Sequence, residues 1–96
     1  MKNKNEVLIW ADNKGLIKKE NSLAQFAKVV EEVGEIGRAL LKKDEIELLD
    51  GIGDTVVTLI ILAAQNNLDI ENCLDSDYNT IKNRTGKTVD GSFIKD

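Results

Sequence analysis

The stretch Leu23–Leu41, LAQFAKVVEEVGEIGRALL, decides the fold. Phe26, Val30, Val33, Gly37 and Leu40 recur at steps of four, three, four and three, which is the repeat of one α-helical face. Asn21 and Ser22 stand just ahead, and either side chain can accept from the free N–H groups of a first turn. Lys42-Lys43-Asp44 breaks the pattern, which resumes from Glu45 to Gln65. The second half of that segment, Thr55–Ala64, is apolar nearly all round and rich in β-branched residues, a strand-like composition. The pattern from Ile46, Leu48 and Leu49 onward nevertheless runs far beyond ordinary strand length, so it reads as helix. A helix apolar on every side must be covered on every side. Three short partners in one chain do not achieve that, so the sequence predicts an oligomer, a homodimer or a homotetramer.

The flanking segments complete an all-α fold. A first helix is expected from Lys4 to about Asp12, with Val7, Leu8, Trp10 and Ala11 on its apolar side and Asn13-Lys14-Gly15 ending it. Asn66-Asn67 closes the long apolar helix. Asp69 then caps a fourth helix from Ile70 to about Asn83, with Ile70, Cys73, Leu74 and Ile81 facing inward. Thr85-Gly86-Lys87 reads as a loop, and Asp90-Gly91 between Thr88-Val89 and Phe93-Ile94 marks a tight turn or small hairpin. The expectation is one domain over 1–96, a small bundle of about four helices, oligomeric, with a short C-terminal tail or hairpin.

Composition removes several kinds of chemistry. Thirteen Lys+Arg against 17 Asp+Glu give a net charge of −4, which argues against nucleic acid as a partner. With no histidine, Ser-His-Asp and Cys-His catalysis, His-based zinc sites and Glu-x-x-His di-iron sites are excluded. A lone cysteine, Cys73, makes no intrachain disulfide and points to a reducing cytoplasm. The longest apolar stretch, Val56–Ala64, falls well short of a membrane span, and no signal peptide is visible.

The acids are the remaining chemical resource. Glu31, Glu32 and Glu35 crowd one side of two turns in the second helix, while Glu47, Asp50 and Asp54 lie at i, i+3 and i+7 in the third. The latter stripe continues into Val57 and Ile61, so Asp54 sits where the face turns into core. A carboxylate there is costly to bury without compensation, and its acidic neighbours raise its pKa further. A hard divalent cation such as Mg²⁺, which takes oxygen ligands and bridges to phosphates, is the simplest compensation. A solvated acidic face is the competing reading. Gly34, Gly37, Gly51 and Gly53 each disfavour helix by roughly 1 kcal/mol against Ala, which close helix–helix approach beside the acids would explain.

Lys82, Arg84, Lys87 and Lys95 make the end of an otherwise acidic chain basic. They read either as a solvated tail or as a phosphate clamp, with Asn79 hydrogen-bonding the substrate. Trp10 reads as core or interface, or as a stacking surface for a nucleobase. Gly86-Lys87-Thr88 lacks the upstream glycine and strand of a P-loop.

Glu31-Glu32-x-x-Glu35, followed by an acidic helix that ends in Gly53-Asp54 and an apolar run, resembles the MazG-type all-α nucleotide pyrophosphohydrolases, whose signature is Glu-Glu-x-x-Glu and then Glu-x-x-Asp. The likeness extends through Trp10-Ala11-Asp12, Ala63-Ala64-Gln65, Tyr78-Asn79, Lys82, Arg84, Gly86-Lys87 and Gly91-x-Phe93-x-Lys95. One departure stands out: with Asp54 as the last acid, the signature glutamate falls on Gly51. Asp50 then substitutes, while Glu47-x-x-Asp50 is the other registration. The resemblance implies Mg²⁺-dependent hydrolysis (Mn²⁺ substituting) of a nucleoside triphosphate to the monophosphate and pyrophosphate, a reaction suited to clearing unwanted nucleotides. It implies Glu32, Glu35, Asp50 and Asp54 as metal ligands, with Glu31 beside Glu32 and Glu35 in the catalytic set as a base for water. It also favours Asn79 and Lys82 on the substrate and, more weakly, Lys87; Arg84 as part of the phosphate clamp and Trp10 as a stacking surface rest on the residues alone. The rival readings are a non-catalytic helical interaction module and a dUTPase-like hydrolase that also takes diphosphates.

Overall fold

The computed structural model describes residues 1–96 as four helices and a hairpin: α1 (Lys4–Asn13), α2 (Ser22–Lys42), α3 (Glu45–Gln65), α4 (Ile70–Ile81), β1 (Gly86–Val89) and β2 (Ser92–Lys95). A 3₁₀ turn at Lys19–Asn21 leads into α2. That turn replaces the expected side-chain cap: Asn21 precedes the helix without a capping bond, and Ser22 Oγ donates to the Lys19 carbonyl at 2.7 Å. α3 does have a cap, since Asp44 accepts from the Glu47 N–H at 3.0 Å. Asp69 caps α4 in the same way, accepting from Glu71 N–H at 2.7 Å. Lys43 takes the left-handed conformation (φ 57°) between α2 and α3, so the two long helices fold back as an antiparallel pair.

That pair is the body of the protein, and the residues joining it were not the stripe that the periodicity singled out. Gln25, Val29, Glu32, Ile36 and Ala39 form the α2 face turned towards α3, at the same four–three spacing but one position earlier. Gln25 is buried and its Nε2 donates to the Thr58 carbonyl at 3.1 Å. Ile36 reaches Gly51, where an added Cβ would lie 3.2 Å from Ile36 Cγ1. Close approach therefore explains Gly51 within the chain, whereas Gly34, Gly37 and Gly53 have open space beside them.

The stripe Phe26, Val30, Val33, Gly37 and Leu40 lies exposed, with Phe26 at 55 %. On α3, Leu49, Ile52, Val56 and Leu59 make a second outward apolar row. The buried residues are only Ala11, Ala39, Gly51, Ile60, Ile61 and Ala63, together with Gln25, Thr58 and Gln65. α1 packs on α3 through Ala11, while Trp10 is exposed.

α4 packs beside α3 alone, and the inward face expected for it is not inward: Cys73, Leu74 and Ile81 are exposed and Ile70 is half-buried. Lys4 ties its start to α1, with Nζ 2.8 Å from Asp69 Oδ2 and 3.7 Å from Glu71 Oε2. The helix stops at Ile81, two residues short of the expected Asn83. The hairpin forms around Asp90-Gly91, both at positive φ (50° and 82°), as a two-residue turn of the primed type requires. Gly86 and Lys87 belong to its first strand rather than to a loop. No helix packs against it.

The accessible surface is 7405 Å², whereas a compact monomer of 10.6 kDa would expose about 5,500 Å². The radius of gyration, 15.7 Å, compares with about 12.5 Å for a compact chain of this length. No helix is long and apolar enough to cross a membrane.

Candidate metal centre

The antiparallel α2–α3 pair brings acids of both helices together. Glu32 and Glu35 from α2 and Asp54 from α3 each place a carboxylate oxygen within 4.8 Å of the other two. Glu32 lies on the inward face of α2 one turn from Ile36, and Asp54 lies on the stripe that becomes buried at Ile61. Glu32 Oε2 is buried and has no hydrogen-bond partner. A buried carboxylate oxygen without a partner forfeits its hydration for nothing in return, so this atom requires a cation or a proton.

The electrostatics point the same way. Burial pushes the Glu32 carboxyl above its ordinary pKa, and Glu35, Asp54 and Glu31 push it further. Asp54 is raised first by burial, then by Asp50 and Glu35. Five acids, Glu31, Glu32, Glu35, Asp50 and Asp54, thus crowd together with no lysine or arginine paired to Glu32, Glu35 or Asp54. The donors are all hard oxygens, the kind that suits a hard divalent cation such as Mg²⁺, Ca²⁺ or Mn²⁺.

The other residues named from sequence fall into three groups. Asp50 stands next to Asp54, close enough to shift its pKa, whereas Glu47 reaches Lys42 (3.9 Å). Glu31 is exposed, with Lys28 Nζ 3.6 Å away. Trp10 shares an apolar hollow of about 340 Å³ with Val7 and Val57. Asn79, Lys82, Arg84 and Lys87 are exposed on the end of α4 and on the hairpin, and one chain does not bring them to the acids.

Two basic residues near the loop end of the helix pair, which sequence reasoning sets aside as compensating charges for the acids, do adjoin the site. Arg38 and Lys42 line a cleft of about 280 Å³ with Glu35, Glu47, Asp50 and Gly51. The spacing 35, 38, 42 is one stripe of α2, so i, i+3, i+7 was the signal that could have found them.

Part of the chain is similar to a phage protein. The chain is 37 % identical over 60 residues to a protein of Haemophilus phage HP1 described as an uncharacterized 18.2 kDa protein in the rep-hol intergenic region. That match takes in 62 % of the chain and 37 % of the phage protein, so the chain spans little more than a third of its relative's length. No family model matches the chain, and no solved structure does.

Proposed function

We propose that the protein is a MazG-like nucleoside triphosphate pyrophosphohydrolase that works in the cytoplasm with Mg²⁺. The observation that carries the reading is the buried, unpartnered Glu32 Oε2 inside a three-carboxylate cluster drawn from two helices. Glu32, Glu35 and Asp54, with Asp50 alongside, would hold the cation. Bound there, it supplies positive charge against a phosphate chain and polarises a phosphoryl oxygen. Glu31, exposed beside the cluster, accepts a proton from the attacking water. The water oxygen bonds to the α-phosphorus, the bond from that phosphorus to the α–β bridging oxygen breaks, and pyrophosphate leaves with the electron pair. Trp10, exposed beside Val7 and Val57, offers a ring face to the base.

The reading includes a second copy of the chain. The surface in excess of a compact monomer, about 1,900 Å², is more than twice what one partner of a standard interface buries. Its apolar part lies on the outward rows of α2 and α3 and on Leu74, Tyr78, Ile81, Phe93 and Ile94. An isolated two-stranded hairpin is marginal in water, so a neighbouring subunit also gives this one something to pack on. Such a neighbour would deliver its Asn79, Lys82, Arg84 and Lys87 to the acids.

Incubation with a panel of deoxynucleoside and ribonucleoside triphosphates and Mg²⁺, followed by ³¹P NMR, tests the proposal. Monophosphate and pyrophosphate should appear together; orthophosphate alone, or no product across the panel, would overturn it.

A further inference from the structure

We infer that the cleft beside the acidic cluster is a seat for a metal-complexed pyrophosphate group, with Arg38 and Lys42 as its anion-binding residues. The inference rests on the pyrophosphohydrolase reading for its place in a reaction, though its binding test stands apart from turnover.

The lining of the cleft is unusual in being wholly polar. Glu35, Glu47 and Asp50 bring three negative charges, Arg38 and Lys42 bring two positive ones, and Gly51 contributes bare backbone. Arg38 has no ion-pair partner. Lys42 meets Glu47 only at 3.9 Å, with both side chains more than half exposed, a pairing that water and a ligand displace easily. Two cations therefore face the cleft without being consumed by the fold. A guanidinium fork and an ammonium set one turn apart on α2 match the paired oxygens of adjacent phosphates.

Charge then selects the form of the ligand. A free polyphosphate meets a net negative cleft and is repelled. A polyphosphate carrying a divalent cation presents positive charge to Glu35 and Asp50 and oxygens to Arg38 and Lys42. Glu35 belongs to both the cluster and the cleft, which fixes the order along the helices: metal-binding acids first, then the phosphate seat towards the α2–α3 turn. The volume, about 280 Å³, lies just below the range of whole-ligand pockets. It accommodates the phosphate end, so the nucleoside lies outside it and base preference is set elsewhere.

Isothermal titration of the full-length protein with inorganic pyrophosphate, with Mg²⁺ and separately with EDTA, tests the inference. Wild type should bind in Mg²⁺ and not in EDTA. Arg38→Gln/Lys42→Gln should weaken binding at least ten-fold while keeping helical circular dichroism and the Mg²⁺-induced rise in Tm; Arg38→Lys, which keeps charge but loses the fork, should fall between. Equal affinity in the double variant, equal affinity in EDTA, or no binding by wild type would each overturn it. A wild type that binds Mg–pyrophosphate through Arg38 and Lys42 yet cleaves no triphosphate would instead sink the nucleotide reading and leave the seat in place.

Discussion

Asp54 and Glu32 set the energetics at the residue scale. A carboxyl whose pKa is raised by folding favours the fold below its ordinary pKa. That contribution is lost as the pH climbs through the raised value. Asp69 and Glu71 act oppositely. Hydrogen bonding to Lys4 holds Asp69 below its ordinary pKa, and the amino terminus does the same for Glu71. Their contribution is present at neutral pH and lost as the pH falls through the lowered values. In metal-free protein, Asp54→Asn should therefore raise Tm at pH 7 and flatten the decline in stability between acid and neutral pH. A thermal melt series across pH checks this; a variant less stable than wild type at neutral pH would show the carboxylate to be compensated already. With Mg²⁺ and substrate, Asp54→Asn or Glu35→Gln should lower turnover at least about 100-fold with the fold intact, as initial rates would show. The acids were legible in the sequence because helical spacing puts them on one side of each helix. Arg38 and Lys42 were legible only in part: their stripe with Glu35 can be read from spacing, but which α3 acids they meet depends on how the two helices dock.

Among the elements, turn chemistry was the most legible and helix facing the least, with capping between them: Asp69 caps α4 as expected, Asn21 and Ser22 do not cap α2, and Asp44 caps α3 unforeseen. Asp69 caps α4 with its own side chain two residues on, and Asn66-Asn67 and Asp90-Gly91 turn the chain through their own backbone, so local sequence sufficed for them. α2 carries two apolar stripes one residue apart, and the more hydrophobic one, through Phe26 and Val33, does not face α3. The inner stripe is disguised by Gln25 and Glu32, polar residues occupied respectively by a backbone carbonyl and the acidic cluster. α4 misled for the same reason, since Leu74 and Ile81 stay exposed in their own chain. Removal of residues 86–96 should leave the helical circular dichroism signal nearly unchanged, because no helix packs on the hairpin. Loss of much of that signal would mean that the hairpin supports the helices directly.

For the whole molecule, a surface about 1,900 Å² beyond that of a compact monomer predicts association. Sedimentation or light scattering should give at least twice the chain mass, and Val33→Glu should return it towards 10.6 kDa. A monomeric wild type at tens of micromolar would remove the shared-subunit clamp from the account. The central claim, however, is that carboxylates of α2 and α3 grip one cation. Electron paramagnetic resonance of added Mn²⁺ reads this directly, because bound ions lose the six-line signal of the free ion. The account predicts saturable loss of that signal with wild type, displaced by Mg²⁺ and abolished in Glu32→Gln/Asp54→Asn; a double variant that takes up Mn²⁺ as well as wild type would contradict it.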